Sequence, residues 1–125
     1  MENAAVKCER SVLVVDKCPE QREVLRTVLE RRGVTTIEAR RADQAIDLAE
    51  RFQPDVIVLD ADSDSSESQK AIGELHAAAS RNATPIVILG KVAARCGDDR
   101  AAQFLPKPYH YGQLVRKIES LLATA

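Results

Sequence analysis

The chain has 125 residues, with 18 Lys and Arg against 19 Asp and Glu for a formal net charge of −1, 45% hydrophobic residues and 3% aromatic ones. That length suits one globular core, and 30 Val, Ile and Leu residues exclude intrinsic disorder despite a charged content of 30%. The balance lacks the basic excess of a nucleic-acid or polybasic membrane-surface binder, and no run approaches the roughly 20 apolar residues of a membrane helix. Residues 1–10 have no apolar stretch after a basic start, so they do not read as a secretory signal. They are expected to form a polar extension to a domain over 11–125, in a cytoplasmic protein. Cys8, Cys18 and Cys96 are odd in number and lack C-x-x-C spacing, which fits reduced thiols and argues against a disulfide framework or a zinc knuckle.

Short aliphatic runs alternate with longer amphipathic stretches. Ser11 to Val15 is a buried-strand run that ends at Asp16. Pro19 then opens a helix with Glu20 and Glu23 near its start, Val24, Leu25, Val28 and Leu29 on one face, and Gly33 as a stop. Val34 to Ala39 is β-branched and reads as a second, more exposed strand. Asp43 is placed to cap a helix carrying Ala45, Ile46, Leu48, Ala49 and Phe52, which Pro54 ends. Val56 to Leu59 repeats the first run and ends at Asp60, as a strand buried on both faces of a parallel sheet would.

A polar loop from Ala61 to Ser68 holds Asp62, Asp64 and Glu67. A helix on Ala71, Ile72, Leu75 and Ala78 precedes a fourth run, Pro85 to Leu89, that ends at Gly90. Lys91 to Arg100 is at best weakly helical, Phe104-Leu105 is a short fifth strand, and Gln113 to Leu122 is a last helix with Leu114, Val115, Ile118, Leu121 and Leu122 inward. Five strand-helix units of this kind predict a three-layer, doubly wound α/β fold with helices on both faces of a five-stranded parallel sheet. Ligands of such sheets gather outside the carboxyl ends of the strands. Those ends carry Asp16 and Lys17, Asp60, Gly90 and Lys91, and then Lys107. Two carboxylates and a lysine converging on one edge suit phosphoryl transfer to a carboxylate, or binding of a cation or phosphate.

The motifs Val12-Leu13-Val14-Val15-Asp16 with Pro19, Pro54-Asp55-Val56-Ile57-Val58-Leu59-Asp60, Pro85-Ile86-Val87-Ile88-Leu89 and Phe104-Leu105-Pro106-Lys107-Pro108 resemble, in this order, the receiver domain of two-component response regulators. The resemblance runs from Ser11 to Leu122 and implies a flavodoxin-like strand order 2-1-3-4-5. It implies that Asp60 is the phosphoacceptor, that Lys107 pairs with the phosphoryl oxygens, and that Asp16 and Asp60 belong to a Mg²⁺ site. Phe104 falls at the switch aromatic. It also implies a histidine kinase or phosphotransfer protein as donor, with an output protein engaged in trans, since no output domain is visible. It implies no nucleic acid, no membrane partner and no enzyme activity beyond assisting its own phosphorylation, and it leaves the oligomeric state open.

Two site positions depart from the family pattern. Lys17 replaces the second metal-binding acid, and Gly90 replaces the Ser or Thr that hydrogen-bonds the phosphoryl group. The segment from Gly90 to Lys107 is shorter than the pattern by about one and a half helical turns, so the fourth helix is expected to be stunted. Asp16, Asp60, Lys17 and Lys107 sum to zero formal charge without a cation, which weighs against Mg²⁺. Lys17 is therefore expected to pair with Asp16 or Asp60 in place of the metal, unless its flexible stem carries the ammonium out to solvent. Asp62, and Asp64 beyond it, are the loop acids that could restore a ligand.

Three functions compete on this pattern: a phosphoacceptor in a phosphorelay, a phosphorylation-independent pseudo-receiver acting as a protein-binding adaptor, and a small-ligand binder on the same architecture. The third lacks both G-x-G-x-x-G and P-loop patterns. His76 and His110 lack a Ser or Cys motif to work with and read as surface residues.

Overall fold

An aliphatic run without polar alternation is stable as a strand only where both of its faces are covered. The chain meets that demand by following its runs with amphipathic helices. In a computed structural model, which describes residues 10–60, 66–90, 102–105 and 109–123, the order is β1 (Arg10–Val15), α1 (Pro19–Glu30), β2 (Val34–Ala39), α2 (Ala42–Phe52), β3 (Val56–Asp60), α3 (Ser66–Arg81), β4 (Ile86–Leu89), β5 (Ala102–Leu105) and α4 (Tyr111–Ala123). The sheet has five strands in the order β2-β1-β3-β4-β5, every neighbouring pair parallel. This is the doubly wound, flavodoxin-like architecture expected. The stunted helix expected before the fifth strand lies outside the described residues.

Strand alternation divides the core in two. Leu13, Val15, Ile57, Leu59, Ile86 and Ile88 face α2 and α3, which answer with Ala42, Ala45, Ala49, Ala79, Ile72 and Leu75. On the other face Val12, Val14, Val56, Val58 and Val87 meet Leu25 and Leu29 of α1 and Leu114, Val115, Ile118 and Leu122 of α4. Long side chains on the sheet oppose alanines on one face, and valines oppose leucines on the other. Such pairing of large with small side chains is how facing layers interdigitate.

The helix ends show how local chemistry sets the boundaries. Gly33, at φ +81°, takes the left-handed turn that lets the chain leave α1 and enter β2, a conformation open to glycine at little cost. Asp43 does not cap α2: Arg41 is the N-cap residue and its side chain makes no capping bond. Gln44 serves that end instead, its amide oxygen accepting the Arg40 N–H at 2.9 Å. Asp43 sits in the first turn, where its carboxylate complements the helix dipole and accepts from Arg41. Ser11 and Asp55 tie the start of β1 to the approach to β3 by reciprocal bonds, Asp55 N–H to Ser11 C=O and Ser11 N–H to Asp55 Oδ2, both 2.9 Å. Among the described residues no helix is long and apolar enough to cross a membrane.

Leu114 is 0% exposed and Val24 is 44% exposed, so truncating them separates core packing from helix surface. Leu114→Ala is expected to lower the unfolding free energy by about 2–5 kcal/mol in urea titrations. Val24→Ala is expected to stay within about 0.5 kcal/mol of the parent.

Candidate functional site at the carboxyl edge of the sheet

Parallel pairing brings the two site acids together. Val15 of β1 is opposite Leu59 of β3, so Asp16 and Asp60, the next residue on each strand, lie side by side at the carboxyl edge. Neighbouring parallel strands run about 4.7–4.9 Å apart. Asp60 continues the alternation of Val56 and Val58, and Asp16 that of Val12 and Val14, which aligns both with the α1/α4 face.

Asp16 is 7% exposed, the buried charged residue among those described. Its N–H donates to Ala39 C=O of β2 at 3.0 Å, which holds it to the sheet beyond the regular ladder. Its Oδ1 accepts the Cys18 N–H at 2.9 Å, the closed turn by which a short carboxylate bends the chain from strand to helix. Its carbonyl accepts a bond from Arg22 Nη1. Cys18, a free and half-buried thiol, is the N-cap residue of α1 but makes no side-chain capping bond, so the turn around Asp16 organises the start of that helix. Asp60 is half-buried at the end of β3, opposite Leu89 of β4.

Lys17 is exposed, and no ion pair joins it to Asp16 or Asp60 among the described residues. The expected pair is thus replaced by the solvent-facing alternative. The reason is alternation: the turn that buries Asp16 sends the next side chain the other way, and the long stem of lysine keeps its ammonium in water. The charge balance expected for the site loses that contribution.

Gly90 is buried one residue beyond Leu89, and its N–H donates to Leu105 C=O of β5 at 3.2 Å. Its φ is +114°, a backbone region that residues with a Cβ rarely adopt. The glycine therefore sets the path of the chain leaving β4 as well as removing a hydroxyl. Phe104 lies on β5 opposite Ile88. Lys107, Asp62, Asp64 and Lys91 lie outside the described residues, as do Cys8 and Cys96. His76 is half-buried on α3, and His110 is exposed.

Among the described residues no three His, Cys, Asp or Glu side chains gather to hold a metal ion. The described donors are the two carboxylates Asp16 and Asp60. Such hard oxygen ligands fit Mg²⁺ where water and phosphate complete its coordination. Arg22 is the site residue that the sequence reading passed over. Its signal was a cation in the early turns of α1, where the helix dipole disfavours positive charge.

Residues 12–119 match the family model for the response regulator receiver domain. A two-component response regulator from Clostridium difficile superposes with a TM-score of 0.72 at 20% identity, covering 92% of this chain and 97% of its own. The chemotaxis protein CheY4 of Vibrio cholerae gives a TM-score of 0.73 at 18% identity, covering 91% and 99%. In sequence, the chain is 29% identical over 117 residues to an uncharacterized 14.6 kDa protein in the sodA1 3′ region of Leptolyngbya boryana, covering 89% of this chain and 88% of that protein.

Restoring a side chain at position 90 is expected to be costly whatever its chemistry. Gly90→Ala and Gly90→Thr should each destabilise by about 1–3 kcal/mol in urea unfolding. A stable Gly90→Thr protein would show that the chain can leave β4 at negative φ.

Proposed function

The chain belongs to the response regulator receiver domain family, and from that premise we propose that it accepts a phosphoryl group on Asp60 in two-component signalling. Receiver domains are signalling modules that work with histidine kinases and output domains. For this chain the domain is assigned from Arg10, one residue earlier than the expected 11–125, because Arg10 opens β1 and pairs with Val34. The observation that carries the reading is the side-by-side placement of buried Asp16 and half-buried Asp60 at the carboxyl edge.

In the proposed reaction an Asp60 carboxylate oxygen attacks the phosphorus of a phosphohistidine in a histidine kinase or phosphotransfer protein. The P–N bond breaks, its electron pair stays on the imidazole nitrogen, which takes up a proton, and an acyl phosphate forms. Bringing a carboxylate to a phosphoryl group opposes two negative charges, so the catalytic need is positioning and neutralisation. Asp16 and Asp60 would hold Mg²⁺, with Asp62 as the loop acid available to join them. When bound, that ion offsets the charge on the phosphoryl oxygens. Lys107 is assigned to pair with those oxygens as a point charge.

Gly90 supports a second reading for the step after phosphorylation. With no hydroxyl at position 90, the phosphoryl group lacks that hydrogen-bonding link toward Phe104. A protein-binding role that does not depend on phosphorylation fits this feature, with Asp60 chemistry and partner binding uncoupled.

Incubation with acetyl phosphate, with and without Mg²⁺, followed by intact mass measurement tests the acceptor assignment. A phosphate adduct that is absent from Asp60→Asn and reduced at least about tenfold in Asp16→Asn is the expected result. No adduct from acetyl phosphate, nor from a panel of histidine kinases, leaves the phosphorylation-independent reading.

A further inference from the structure

Arg22 lies on α1 with its side chain 12% exposed, and its guanidinium is held at two of its nitrogens. Nε donates to Glu38 Oε1 of β2 at 3.0 Å, while Nη1 donates to the Asp16 carbonyl. The second oxygen of Glu38 accepts from Arg26 Nη1 at 3.3 Å. Glu38 is thus shared by two arginines one helical turn apart, and it anchors the nearer one over the end of β1.

The same stretch closes on itself. Arg22 N–H donates to Cys18 C=O at 3.1 Å, and Cys18 N–H donates to Asp16 Oδ1 at 2.9 Å. With the guanidinium on the Asp16 carbonyl, three hydrogen bonds link residues 16, 18 and 22 into one braced turn. A carbonyl at a strand end has lost its ladder partner, and a charged donor is a stronger replacement than water. Fixing this carbonyl fixes the peptide plane between Asp16 and Lys17, and with it the amide two residues on that holds the carboxylate.

We propose that Arg22, anchored by Glu38, is a positioning residue that aims the Asp16 carboxylate at the carboxyl-edge site. The inference rests on the reading of Asp16 as a site acid. Its weight in this chain comes from Lys17: the neighbouring position supplies no acid, so orientation of the remaining β1 carboxylate cannot be shared. Groups that hold a ligand rather than touch the metal commonly change affinity by about 10–100-fold when removed.

The test uses the full chain with Arg22→Gln, Arg22→Lys and Glu38→Gln, read by amide hydrogen exchange and by Mn²⁺ binding followed through water-proton relaxation. In Arg22→Gln the Cys18 amide is expected to exchange at least about tenfold faster, with Leu13 and Val14 amides unchanged. Mn²⁺ affinity should fall about tenfold. Arg22→Lys, which keeps the charge, should fall between parent and Arg22→Gln, and Glu38→Gln should weaken both readouts less than Arg22→Gln. An unchanged Cys18 amide overturns the inference. So does a rise in exchange spread evenly along β1, which marks general destabilisation, or a loosened Cys18 amide with parental Mn²⁺ affinity. A parent chain that binds no Mn²⁺ defeats the metal assignment of Asp16, while Cys18 exchange still decides whether Arg22 braces that turn.

Discussion

The register of β1 against β3 is the constraint on which the site depends. Side chains alternate along a strand, so pairing Val15 with Leu59 fixes at once which aliphatics enter each core layer and which acids meet at the edge. A slip of one residue would send Asp16 to the opposite face and put Val12 and Val14 into the layer that Leu13 and Val15 fill. Packing therefore protects the chemistry: the register that satisfies Val12, Val14, Val56 and Val58 between α1 and α4 is also the one that sets two carboxylates side by side. No separate interaction has to bring them together against their mutual repulsion.

The two core layers hold that register in different ways. Toward α2 and α3, leucine and isoleucine of the strands press against a surface rich in alanine, which lets those helices lie close to the sheet. Toward α1 and α4, shorter valines leave room for leucine and isoleucine from the helices. Swapping the two sets of helices would leave voids on one face and overlap on the other, so the distribution of side-chain size helps to specify which helices cover which face.

Strand positions were legible because Val12 to Val15, Val56 to Leu59 and Ile86 to Leu89 are unbroken aliphatic runs, and period alone marks them as central. Asp16 and Asp60 were legible for the same reason, as the first polar residues past such runs. The cap of α2 was misread because Asp43 has the favoured chemistry, whereas the structure uses Gln44 from one residue further on. Lys17 was misread because formal charge was summed along the sequence, while orientation belongs to the turn made by Asp16 and Cys18. Arg22 escaped notice because its partners, Glu38 and a main-chain carbonyl, come from a neighbouring strand and from backbone geometry that residue spacing does not reveal. The backbone state of Gly90 likewise depends on the route into the following segment.

The contact between β1 and α4 has a consequence for how the molecule is made. Val12 and Val14, near the start, are covered by helix residues such as Leu114, Ile118 and Leu122 near the end, and Arg10 reaches the Leu122 carbonyl. During synthesis α1 can cover its share of this face of β1 early, but the α4 share stays open until that helix is made, whereas the α2/α3 layer can close earlier. Long-range closure of this kind slows folding relative to a chain whose neighbours in space are neighbours in sequence. The face completed last in chain order is thus the α1/α4 face, the side with which Asp16 and Asp60 are aligned at the edge.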